Sequence, residues 1–168
     1  LIKNRNQLVA HGYKAGREKV IDIVTAALRG VNARQAVKNK VRLLDDVLKI
    51  EDQSFDLRIF QNIYAIGSGK ATFPLASALE EILGERMNDG FIAVKDGQNG
   101  RLNHIRVMEA AHPVPDHRSV AAGRQVLDIA KRAGPEDLVI CLMSGGVSSL
   151  CCVPVADISF DDKMTTSR

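Results

Sequence analysis

A lysine that follows two glycines at the end of an apolar run has the chemistry to hold an anion. The stretch Ile63 to Ala71, IYAIGSGKA, is of this kind, and reads as a buried strand delivering a tight turn to a helix. Gly67 and Gly69 allow the backbone positive φ and a close approach to a ligand, with Ser68 between them. Lys70 then sets a cation where the free N–H groups of the following helix already favour negative charge. A strand-to-helix turn that merely needs glycine is the simpler reading of the same residues. The known nucleotide motifs fit loosely: a Walker loop needs glycine at Tyr64 and a hydroxyl at Ala71, and the dinucleotide fingerprint needs a third small residue at Thr72. An anion is expected here, and its identity must be read from elsewhere.

Two further turns add chemistry. The run LVICLM leads into Ser144, Gly145, Gly146, Val147, Ser148 and Ser149, a loop whose N–H groups and hydroxyls can form an anion nest. It can equally be a tight turn with no ligand. The segment Ala111, His112, Pro113, Val114, Pro115 and Asp116 presents a histidine and a carboxylate on a loop stiffened by two prolines. Its structural alternative is that Pro115 and Asp116 begin the next helix, with Asp116 or Ser119 near its N-terminus.

The elements around these turns follow from hydrophobic periodicity. Apolar residues from Asn4 to about Gly30 recur at helical spacing, with Gly30 and Asn32 as a stop, and a short helix over Ala33 to Lys40 follows. This basic opening segment, 1–40, is expected to cover one face of a sheet. Strands are predicted at Val47 to Ile50 and Ile59 to Ile66, with a polar loop from Glu51 to Arg58 between them. A helix over Thr72 to Leu83, stopped by Gly84, completes a strand-turn-helix unit. Further strands are predicted at Gly90 to Lys95, His104 to Ala110 and Leu138 to Met143, the first leaving through a loop with Asp96, Gly97, Asn99 and Gly100. A helix over Ser119 to Ala133 places Val120, Gly123, Val126, Leu127 and Ala130 inward. Strands alternating with helices predict an α/β fold: a doubly wound, mostly parallel sheet flanked by helices, Rossmann-like, with ligands at the strand ends.

Composition bounds the rest. The 168 residues are 45% hydrophobic and 26% charged, within the range of one globular domain. A net charge of +3, 4% aromatics and no tryptophan give neither a nucleic-acid footprint nor a stacking platform. No apolar run approaches the ~20 residues a membrane span needs, so no membrane contact is expected and the cytoplasm is the expected location. Cys141, Cys151 and Cys152 lack the paired spacing of a zinc site and read as small buried hydrophobes.

In combination the turns are more specific than any one of them. GSGKA after a strand, then AAHPVPD, then a strand leading to SGG, then Asp161, Asp162 and Lys163 in SFDDKMTT resemble, in order along the chain, the type II glycerate kinases, or glycerate 2-kinases. Some members of that family carry the name hydroxypyruvate reductase. The resemblance implies a partial N-terminal Rossmann-like domain over 1–168, followed in the family by a second, leucine-rich domain that this chain lacks. It further implies transfer of the γ-phosphoryl group of ATP to the 2-hydroxyl of D-glycerate, with Mg2+ bridging phosphates through ligands the sequence does not identify. Lys70 matches the family's functional lysine and would pair with phosphate or the glycerate carboxylate. Gly67, Ser68 and Gly69, with Ser144, Gly145, Gly146, Ser148 and Ser149, would surround the phosphates, and His112 and Asp116 would orient the substrate or take its proton. The chain departs from the family pattern at Val147 and Ser149, and at Cys151, Cys152, Val153 and Pro154.

Two other functions fit the same turns: an NAD(P)H-dependent hydroxypyruvate reductase, and a non-catalytic module binding phosphate or sugar phosphate. A chain ending at Arg168 is expected to be inactive alone, lacking one wall of an interdomain site, and to self-associate, as a homodimer, through the face that wall would cover.

Overall fold

The structure, a computed structural model, describes residues 1–98 and 100–166, so Asn99 of the expected loop and Arg168 lie outside the described residues. Its centre is a four-stranded parallel sheet of β4 (Asn62–Ser68), β5 (Asp89–Lys95), β6 (Ile105–Ala110) and β7 (Asp137–Met143), in the order β6-β5-β4-β7. The helices α4 (Thr72–Leu83) and α5 (His117–Arg132) make the crossovers from β4 to β5 and from β6 to β7.

The alternation of side chains along each strand divides the core in two. Ile63 and Ala65 of β4 and Ile92 and Val94 of β5 face one side and pack with Ala76, Leu79 and Leu83 of α4. Tyr64 and Ile66, with Phe91 and Ala93, face the other and pack with Ala122 and Ile129 of α5. A sheet buried on both faces explains why these strands read as continuous apolar runs.

The expected loop from Glu51 to Arg58 is not a loop. It contains β3 (Gln53–Asp56), which joins β1 (Val41–Leu44) and β2 (Val47–Ile50) in an antiparallel sheet of order β1-β2-β3. QSFD carries no alternating apolar signal, and its strand state comes from pairing, Leu48 standing opposite Phe55. Leu48 is fully buried against the α4 side of the core, worth about 2 kcal/mol as a buried leucine.

The opening segment also differs from expectation. It forms α1 (Arg5–Val9), α2 (Lys14–Gly30) and α3 (Ala33–Lys40), with Gly12 at φ 68 separating the first two. Asn32 caps α3, accepting from the Gln35 N–H at 2.9 Å. It is α3, not α2, that reaches the body of the fold, through Arg34 to Ser77 at 2.7 Å and through Arg34 and Lys38 to Glu81. Only Ile21 of α2 is buried, and Val20, Ile23, Val24 and Leu28 are exposed, so this helix does not cover the sheet.

In α5 the inward face is Ser119, Ala122, Gly123 and Ile129, while Leu127 and Ala130 are exposed. Helical phase is set at the first turn, where Asp116 and Ser119 form a capping box and draw Ser119 inward. The cysteines are less buried than expected: Cys141 is exposed because β7 is an outer strand of the described sheet, and Cys151 and Cys152 are half-buried. Burial pushes both of the latter thiols up from their ordinary range.

Candidate functional site

Strand order places the site. From β4 the chain steps outward to β5 and β6 and then returns to the other side of β4 as β7, so the topological switch point lies between β4 and β7. Ligands of open α/β sheets bind outside the carboxyl ends of the strands at such a point. β4 ends in the GSGK turn and β7 ends in the Ser144–Gly146 loop, paired in parallel up to Ser68 and Met143.

Hydrogen bonds knit the two turns together. Ser144 N donates to the Ser68 carbonyl at 3.1 Å, and Lys70 N donates to the Gly145 carbonyl at 2.9 Å. The Ser144 hydroxyl accepts from Ala71 N at 3.0 Å and stands 3.1 Å from the Thr72 hydroxyl. Ser144 thus caps α4 from a strand on the far side of the sequence, a task the local cap residue, Ala71, has no side chain to perform. Thr72, fully buried, is a fastener between the two turns, which its sequence position did not indicate.

Two glycines are required by this closeness. Gly69 has φ +138, and a Cβ there would run into the Ser144 hydroxyl. Gly146 has φ +102, and a Cβ there would lie 2.9 Å from His112 Cδ2, 3.0 Å from its Nε2 and 3.3 Å from Lys70 Cγ. Gly67 is tight for a different reason, its α-carbon lying against the Leu142 carbonyl of β7.

The structure therefore brings Lys70, His112, Gly145 and Gly146 together. Lys70 is exposed, and among the described residues no acidic side chain lies within 4 Å of its ammonium. The N–H groups of Gly145, Gly146, Val147 and Ser148 have no main-chain acceptor among the described residues, being orphans at the head of the short helix α6 (Val147–Leu150). An unpaired cation and unpaired N–H groups on neighbouring turns have the chemistry an anion requires.

Other candidates sit differently. Ser68 is 1% exposed and its hydroxyl is buried without a partner, so it faces the protein interior. Ser149 donates to the Pro113 carbonyl at 2.7 Å and ties the β7 loop to the cis His112–Pro113 segment, whereas Ser148 is exposed. Asp116 is the N-cap of α5: its carboxylate accepts from Arg118 N at 2.9 Å and Arg118 Nε at 2.8 Å. Arg118 also grips Asp96 at 2.6 and 2.9 Å, and these hydrogen bonds hold the Asp96 carboxyl below its ordinary range. Asp116 is engaged in starting the helix that follows His112, the structural alternative its sequence context had offered.

Metal binding finds no ready ligand set. Among the described residues there is no group of three or more His, Cys, Asp or Glu side chains placed to hold an ion. Nor, among them, is any helix long and apolar enough to cross a membrane.

Fold and site together define a doubly wound α/β domain with a glycine-lined cationic site at its switch point. More narrowly, the chain belongs to the DUF4147 family, described as a domain of unknown function, which matches residues 19–168. A Pyrococcus horikoshii protein named glycerate 2-kinase is 36% identical over 151 residues, covering 89% of this chain and 33% of that protein. A crystal structure of a Pyrococcus horikoshii protein superposes with a TM-score of 0.79 at 36% identity, over 89% of this chain and 34% of the other. The crystal structure of a Thermotoga maritima glycerate kinase gives 0.68 at 28% identity, over 85% of this chain and 31% of the other. An Agrobacterium vitis relative with the provisional name hydroxypyruvate reductase is 38% identical over 103 residues, 61% of this chain and 27% of its own. The resemblance seen in the turns is thereby shown, and the chain spans about a third of the length of the curated relatives it matches.

Proposed function

We propose that this chain supplies the phosphate-binding part of a glycerate 2-kinase, which moves the γ-phosphoryl group of ATP to the 2-hydroxyl of D-glycerate. The observation that carries the reading is the Lys70 side chain, without an acidic partner among the described residues, whose stem packs along Gly145 and Gly146. Phosphoryl transfer demands positioning and charge neutralisation more than covalent participation by the protein. Lys70 neutralises phosphate charge, and the free N–H groups of Gly145 to Ser148 take phosphate oxygens. His112, packed on Gly146, accepts the proton of the attacking hydroxyl as the new O–P bond forms and the bond to ADP breaks. Asp116 and Ser149 keep His112 in place by fixing the residues after it.

Mg2+ ordinarily travels with nucleotide phosphates and needs few protein carboxylates. Among the described residues no group of three His, Cys, Asp or Glu side chains is placed to hold it.

Assays of the full-length enzyme for ADP release, with ATP, Mg2+ and D-glycerate, beside NADH oxidation with hydroxypyruvate, test the reading. ADP release that requires glycerate supports it. NADH oxidation without ADP release assigns the site to a dinucleotide, as the name of the Agrobacterium relative would favour. Sedimentation of the same sample tests the expected homodimer.

A further inference from the structure

Lys70 is held at both of its main-chain polar groups by residues far from it in sequence. Its N–H goes to Gly145, and its carbonyl accepts from the Gln98 side-chain Nε2 at 2.6 Å. The second bond answers a specific deficit. Lys70 stands just before Ala71, the N-cap of α4, so its carbonyl lies outside the helix's own ladder of hydrogen bonds and needs a partner from elsewhere. The Lys70 carbonyl would otherwise be left to solvent, at the residue whose ammonium carries the site.

We propose that Gln98 is a positioning residue for Lys70, holding the main chain of the GSGK turn so that the lysine stem packs along Gly145 and Gly146. The loop that presents Gln98 is itself anchored on several sides. Asp96 N donates to the Ala110 carbonyl at 3.2 Å, Gly97 N to Glu109 Oε1 at 2.9 Å, and Gln98 N to the Lys95 carbonyl at 3.1 Å. The Asp96 carboxylate is gripped by Arg118, on the helix that follows His112. The loop after β5 therefore joins the lysine turn to the histidine turn.

The other end of the same amide is informative. Gln98 Oε1 is buried and, among the described residues, has no hydrogen-bond partner, a cost that a side chain turned to solvent would not bear. The amide is held in place by its donor end, on Lys70.

The proposal rests on the reading of Lys70 as a phosphate-binding group, and its test separates the two. Gln98→Met keeps length without the donor, and Gln98→Glu keeps shape while setting an acceptor against the Lys70 carbonyl. Amide hydrogen exchange is followed by NMR in the wild type and both variants, together with the shifts that ATP induces at Lys70, Gly145 and Gly146. Exchange at Lys70 and Ala71 should rise about tenfold in either variant with the β5 amides unchanged, and ATP affinity should fall about tenfold. Unchanged exchange at Lys70 and Ala71, or an even rise across β4 and β5, overturns the proposal by reducing Gln98 to a stabilising contact. So does an ATP affinity equal to the wild type's. A wild type that shows no ATP-induced shifts brings down the phosphate reading instead, and the exchange pattern still decides whether Gln98 holds the turn.

Discussion

The main-chain N–H of Lys70 donates to the carbonyl of Gly145 across 2.9 Å and seventy-five positions of sequence (145 − 70 = 75). Because of this bond the GSGK turn and the Ser144–Gly146 loop are one structure, and a change in either is felt in both.

Gly146→Ala is the sharpest local test of that unity. The substitution forces a side chain into positive φ and places its Cβ 3.0 Å from His112 Nε2. A strain of about 1–3 kcal/mol is expected, visible as a lower melting temperature. Phosphoryl transfer should fall well beyond what that loss explains, because the imidazole and the Lys70 stem must move apart; equal activity at equal stability would contradict the arrangement.

A second prediction concerns Glu80, a buried carboxylate 8% exposed on α4. It accepts from the N–H groups of Asn103, His104 and Ile105 at 3.0, 2.7 and 3.2 Å, fixing the entry to β6. Glu80→Ala strands those donors and should cost about 2–4 kcal/mol by chemical denaturation. Glu80→Gln keeps an acceptor and should cost less; similar costs for the two would deny the bonds their importance.

Acid should weaken the fold through carboxylates that hydrogen-bond to arginine. The Arg58 side chain and N–H hold Asp56 down at about 2, and Arg118 similarly lowers Asp96. Both carboxyls are depressed in the folded state, so the unfolded chain binds more protons in acid. Their stabilisation is complete above the unfolded value of about 4 and is lost as pH falls through the lowered folded values, about 2 for Asp56. Melting temperatures should be level from pH 7 to 5 and drop below 4. Arg58→Ala should make that drop shallower, and an identical slope would remove Asp56 from the account.

Much of the scaffold of the site was legible in the sequence, and the reasons are local. Thr72 to Leu83 announced itself by helical spacing and by Gly84, and the structure gives α4 those bounds. The strands at 89–95, 105–110 and 137–143 were readable to within a residue because a parallel sheet buried on both faces needs unbroken apolar runs, whereas the strand expected over Ile59 to Ile66 begins only at Asn62, Ile59 closing a 3-10 turn. What stayed hidden depends on partners distant in sequence. QSFD becomes a strand only by pairing with β2. The bond between the Ser144 hydroxyl and Ala71 N, 73 residues away, has no signal in the sequence around either residue. Gln98 carried no motif at all, because its bond to the Lys70 carbonyl joins residues of two separate loops. The exposed apolar face of α2 follows the same logic in reverse: its spacing promised a covered helix, and no part of the described fold covers it.

The measurement that bears most directly on the central claim is ADP release by the full-length enzyme and its Lys70→Ala variant, with ATP, Mg2+ and D-glycerate, each sample first checked for the same melting temperature. The ammonium has no salt-bridge partner among the described residues, so its removal should leave the fold intact. The account predicts glycerate-dependent ADP release in the wild type, lowered about a hundredfold or more in the variant. Turnover near the wild-type level in Lys70→Ala would contradict it, and the glycine turns at the β4–β7 switch point would then need another ligand.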